Sequence, residues 1–130
     1  ERALVEDVRR ELADAQSEDA DRILAGCIDR APALECLYLL DMDGVQTTPT
    51  FCNPDKLAKA VRLLFEPAQK GADHSLKEYF LPLKAGLDAF TTEPYISLAT
   101  GNSCITASTT YRDASGARRI LCADIHRDSL

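Results

Sequence analysis

The sequence offers little that would tie it to nucleic acid, membrane or metal. It has no basic stripe: 15 lysines and arginines stand against 21 aspartates and glutamates, a formal net charge of −6. No cation-rich face is available to displace phosphate counterions. No apolar run approaches the roughly 20 residues that span a bilayer, and no charged, apolar, small-residue progression marks a signal peptide. His74 and His126 are isolated, and Cys27, Cys36, Cys52, Cys104 and Cys122 lie outside the short spacings of zinc and redox motifs. Asp41 and Asp43 lack the remaining ligands of a calcium loop. Repeats and low-complexity tracts are absent as well, so neither a metal nor a cofactor is expected.

What is present is ordinary for a folded unit: 130 residues, 45% hydrophobic and 28% charged. One domain over residues 1–130 is expected, a helical segment at 1–34 preceding a core at 35–126. The chain opens on glutamate, as an excised segment does. An odd cysteine count, with Cys27 on an apolar helix stripe and Cys36 and Cys122 in strand-like runs, points to five free thiols. That favours a cytoplasmic location over the alternative, a periplasmic domain of an inner-membrane receptor.

Leu4, Val5, Val8, Leu12 and Ala15 make one amphipathic helix, and Ala20, Ile23, Leu24, Cys27, Ile28 and Ala31 a second, with Ser17 as its N-cap. Cys36 to Leu40 reads as a first strand, Asp41-Met42-Asp43-Gly44 as a hairpin turn, and 45–49 as a second strand. Asn53-Pro54 opens a helix over 54–65. Ser75-Leu76-Lys77-Glu78 has the form of a capping box, and Pro82 keeps the helix after it short or kinked. The last third holds three β-rich runs, 95–100, 104–112 and 118–125, with no room for crossover helices. Ile105 and Ala107 alternate with Thr106 and Ser108, so one sheet face packs on the core while the other is polar enough to hold a ligand. Two leading and three trailing strands make one five-stranded antiparallel sheet, an α+β fold with helices between strands two and three.

This order, with Asp73-His74-Ser75-Leu76-Lys77-Glu78-Tyr79-Phe80, Glu93-Pro94-Tyr95-Ile96-Ser97, Thr100-Gly101 and Ile120-Leu121-Cys122-Ala123-Asp124-Ile125, resembles the PAS-like Cache (PDC) sensor domains of bacterial signalling proteins. The resemblance covers about residues 35 to 126. It implies binding of a small polar or anionic metabolite without turnover, a covalently linked output domain (a cyclic-dinucleotide enzyme, a histidine kinase or a chemoreceptor), and a homodimer through the N-terminal helix. It also implies a site at Lys77, Tyr79, Tyr95 and Asp124, with Ser97 of the Tyr95 strand counted beside them. Thr106 and Ser108 join it from their strand face. Lysine stands where the family's amino-acid binders have arginine, a point charge in place of a planar fork.

Two readings from other classes compete. Asp41-Met42-Asp43-Gly44-Val45 also resembles the opening motif of haloacid-dehalogenase-type phosphatases, with Asp41 as nucleophile and Asp43 as acid. That fold needs parallel strands with helical crossovers, and its phosphate-neutralising lysine is missing between Thr100 and Asp124. A ligand-free dimerisation module is the other, and a cavity filled by apolar side chains would favour it.

Overall fold

The computed structural model describes residues 2–56 and 66–126. Helix α1 (Arg2–Ala13) buries Val5, Val8 and Leu12, and helix α2 (Ala20–Arg30) buries Ala20, Ile23, Leu24, Cys27 and Ile28, each on a single stripe. A 3₁₀ turn at Ser17–Asp19 joins them, with no side-chain cap. Ser17 is therefore not the expected N-cap. Rather than accept from a first-turn amide as a cap does, its hydroxyl donates to the Asp113 carboxylate, a charged acceptor, and the Ala114 amide donates to the Ala15 carbonyl at 2.9 Å. The helical corner is thereby tied to the last hairpin.

The sheet comprises β1 (Leu34–Leu40), β2 (Phe51–Cys52), β3 (Ala89–Thr91), β4 (Tyr95–Ile96), β5 (Ser103–Arg112) and β6 (Arg118–His126). Its order is β2-β1-β6-β5-β3, β4 also pairs with β5, and every pair is antiparallel. Six strands replace the expected five because the edge along β5 is split. Ala89–Thr91 pairs with 107–109 and Tyr95–Ile96 with 103–104, while Pro94 between them has no amide to give.

The second strand also lies later than 45–49. The Gln46 amide turns to the Ala72 carbonyl at 2.9 Å and the Gly71 amide returns to the Gln46 carbonyl at 2.8 Å. Ladder pairing to β1 is then taken up at Phe51–Cys52. Ser75 caps no helix: its amide is held by Asp73 Oδ1 at 2.8 Å, and helix α3 (Leu81–Lys84), with Pro82 in its first turn, is only four residues long. Of the expected 54–65 helix, Pro54–Lys56 is a 3₁₀ turn and residues 57–65 lie outside the described residues.

Alternation sorts the strands into two faces. Leu34, Leu37, Leu39, Leu121, Ala123 and Ile125 pack under α1 and α2, with Ile105 and Ala107 against them. Tyr38, Leu40, Ile120 and Cys122 face the other way, onto Tyr79, Phe80 and Leu83. Leu24 has no exposed surface and sits in the first of these clusters. Leu24→Ala is expected to lower the unfolding free energy by about 3 kcal/mol through lost burial and a residual cavity, measured by urea denaturation. A loss below about 1 kcal/mol would mean the helices contribute little to the core.

Candidate functional site

On the face away from the N-terminal helices, a cavity of about 480 Å³ lies between the sheet and the segments 66–79 and 92–99. That volume is in the range of small-molecule sites. Its floor is Asp124, third residue of the alternation Ile120, Cys122, Asp124 on β6, and only 3% exposed. Thr106, its register partner on β5, donates from Oγ1 to Asp124 Oδ1 at 2.8 Å. A hydroxyl has one proton, so the Tyr95 hydroxyl must donate to Thr106 in its turn. Tyr38 adds a long contact of 3.5 Å to the same oxygen. Oδ2 makes no hydrogen bond to any described residue. Burial pushes the Asp124 carboxyl up to about 7, with the neighbouring Glu35 adding to the rise and the Thr106 and Tyr38 hydroxyls opposing it.

One wall is an aromatic and histidine stack. Tyr38 lies on the His74 ring at 5.4 Å and 28°, and Tyr79 meets Tyr38 edge-on at 6.2 Å and 75°. His74 Nε2 donates to Gln46 Oε1 at 2.8 Å, and its Nδ1 accepts from the Tyr79 hydroxyl at 2.6 Å. This tautomer follows from Gln46, whose amide nitrogen donates to the Thr48 carbonyl and Thr50 Oγ1 at 2.8 and 2.9 Å, leaving only its oxygen for the ring. Burial, with Lys77 nearby, lowers the His74 pKa and keeps the ring neutral. Gly44 closes this wall from behind, its carbonyl accepting the His74 amide at 2.8 Å.

The mouth carries Lys77, Glu78, Asp73 and Glu66, with Ile96 and Leu98 exposed at its rim. Of the residues singled out in the sequence, Lys77, Tyr79, Tyr95, Ser97 and Asp124 line the cavity. Thr106 and Ser108 do not, which corrects that expectation. Thr106 is fully buried behind the floor, where it orients Asp124, and Ser108 donates to the Tyr79 carbonyl at 2.6 Å, anchoring the wall. Tyr38, His74, Thr92 and Thr50 line the cavity without having been picked out as ligand contacts. Tyr38 was legible as the polar-tipped member of an apolar strand; Gln46 and Thr50 carried no signal. His74 is a buried anchor of its loop.

Glu35 lies beside this floor with no exposed surface. It is the extra residue at the irregularity in β1, where the register to β6 shifts between Leu34 and Cys36. Thr100 donates to its Oε1, and its Oε2 has no hydrogen-bond partner among the described residues. Burial raises its pKa against that bond.

Asp41 does not have a nucleophile's surroundings. Its Oδ1 accepts the amides of Asp43 and Val45 at 2.9 and 3.0 Å, so the motif is a turn at the end of an antiparallel strand. The parallel sheet required by the phosphatase reading is absent among the described strands.

No protein-family profile and no curated protein matches the sequence. Solved structures do match in fold. The ligand-binding domain of the Campylobacter jejuni chemoreceptor Tlp3, in complex with 4-methylisoleucine, superposes with a TM-score of 0.70 at 16% identity, over 97% of this chain and 50% of that one. An extracellular ligand-binding receptor from Desulfohalobium retbaense gives 0.68 at 15% identity, over 98% and 22%. The ligand-binding domain of the Pseudomonas aeruginosa amino-acid chemoreceptor PctC, in complex with GABA, gives 0.62 at 22% identity, over 98% and 54%. This chain thus spans about half or less of each. The fold is the α+β, PAS-like one of Cache sensor domains. The cytoplasmic location expected from unpaired cysteines finds no support in these neighbours, one of which is extracellular.

Proposed function

We propose that this chain is the sensing module of a bacterial signalling protein, binding without turnover a small polar metabolite that carries an amino group and an anionic end. The observation that carries this reading is Asp124, a buried carboxyl with one oxygen unpartnered among the described residues at the floor of a cavity whose mouth carries Lys77. An ammonium group would pair with Asp124 and the anionic end with Lys77, the aromatic wall covering the carbon chain. GABA and 4-methylisoleucine, the ligands of two structures sharing this fold, each bear both charges. Polar convergence at the floor also speaks against the ligand-free module. The ligand shifts a two-state equilibrium by its differential affinity, and α1 and α2, seated on the opposite sheet face, pass the shift to a linked output domain and a second copy. The ligand is taken up outside the cytoplasm.

A thermal-shift screen of amino acids and small amino-carboxylates tests this. A ligand at a hundred times its Kd stabilises by about 2.7 kcal/mol, enough to raise Tm by several degrees. Tyr95→Ala should abolish that rise while the unliganded variant still unfolds cooperatively. A ligand whose shift survives both Tyr95→Ala and Asp124→Asn binds elsewhere and overturns the assigned site.

A further inference from the structure

We propose that Cys36 and Cys52 are a redox-responsive pair that closes into a cross-strand disulfide, clipping the edge strand β2 to the sheet. The two are direct register partners across β1 and β2. The Asn53 amide donates to the Glu35 carbonyl at 2.9 Å, which makes 36 and 52 a non-hydrogen-bonded position. There facing Cα atoms stand about 4.5 Å apart, within the range that a disulfide bridges. The sulfur atoms are already 2.7 Å apart, only about 0.7 Å beyond a bond. No other cysteine stands opposite a cysteine: Cys104 faces Tyr95 and His126, Cys122 faces Tyr38 and Ser108, and Cys27 lies on α2 against Glu11 and Arg30.

The two thiols differ in access, which sets the order of events. Cys52 is half-buried and Cys36 fully buried. The hydrogen bond to Cys52, burial and the nearby Asp124 hold the Cys36 thiol far above its usual range. Cys52 therefore reacts first. Its thiolate attacks a small disulfide oxidant of the glutathione type, breaking that S–S bond and releasing one oxidant thiol. Cys36 then gives up its proton and attacks the Cys52 sulfur, and the second oxidant thiol leaves. Two protein thiols lose two protons and two electrons, and the oxidant disulfide becomes two thiols. Because Cys36 is also the register partner of Asp124, the bond forms beside the cavity floor.

The test is to treat the purified protein with oxidised glutathione, denature it, and count free thiols by maleimide alkylation and mass spectrometry. The reduced protein should show five. The oxidised one should show two fewer, a mass lower by two hydrogen atoms, and a linked peptide joining Cys36 to Cys52. Its Tm should rise by roughly 5–10 °C from the closed loop. Cys52→Ser should show neither the thiol loss nor the rise. Five free thiols after oxidation, a glutathione adduct persisting on Cys52, or a bridge between other cysteines would each overturn the proposal.

Discussion

The Asp124→Asn variant is expected to be more stable than the wild type at pH 8 and to lose that advantage by pH 4. The carboxyl titrates near 7 in the folded protein, lifted chiefly by burial, and near 3.9 in the unfolded chain. Between those values the folded state holds the extra proton, so this group's contribution to stability falls as pH rises from about 4 to about 7. Three pH units correspond to a change on the order of 4 kcal/mol. Glu35, also raised by burial, acts in the same direction, whereas His74, lowered by burial, costs stability as pH falls below 6.5. Only the difference between wild type and variant isolates Asp124. Urea unfolding of both from pH 4 to pH 8 measures it, and a difference constant within about 1 kcal/mol would show that the carboxyl titrates normally. On the proposed function, the same proton governs binding. An ammonium ligand requires the ionised carboxylate, so its Kd should rise about tenfold per pH unit below 7, while Asp124→Asn should bind weakly at every pH.

Gly44→Ala should lower the unfolding free energy by about 4 kcal/mol. Its φ of +85° is one that a side chain strains to adopt, and an added Cβ would lie 2.8 Å from Ser75 Cα and 2.9 Å from Ser75 N. Both are backbone atoms, so relief requires moving the 73–75 loop off the hairpin. Backbone strain of roughly 1–3 kcal/mol adds to overpacking of roughly 1–3 kcal/mol. Gly71 is the internal control: its φ is +94° but nothing lies within 4 Å of the added methyl, so Gly71→Ala should cost only the conformational part. Chemical denaturation of the two variants side by side separates the contributions. Equal losses would mean that the close approach at Ser75 is easily relieved. Because the Gly44 carbonyl holds the His74 amide, Gly44→Ala should also disturb the Tyr38 stack.

Much of this architecture was legible because its signals are local. The stripes on α1 and α2, the Asp41–Gly44 turn and the alternation of Ile105 and Ala107 with Thr106 and Ser108 are each set by neighbours in sequence. Asp124 was singled out from the resemblance, and it lines the cavity. Ser75 and Ser17 misled for a common reason. A serine at a plausible cap position is also free to bond elsewhere: the Ser17 hydroxyl goes to the Asp113 carboxylate and the Ser75 amide to Asp73, partners that spacing does not record. The split edge strand and the Gln46 network escaped notice because both depend on partners more than ten residues away. Ser108 looked like a ligand contact because strand alternation gives a face, and says nothing of what already occupies it.

Strand β6 places the two sides of the molecule one residue apart. Asp124 is held between Ala123 and Ile125, which press on the helical layer while it faces the cavity. The sheet at this point is a diaphragm with a single strand's thickness between what touches its two surfaces. On the proposed function, a ligand that draws on Asp124 acts on the same strand that seats α1 and α2, one residue away on either side. The coupling on that reading is reciprocal: a seating of those helices that ligand binding favours would itself favour binding at Asp124.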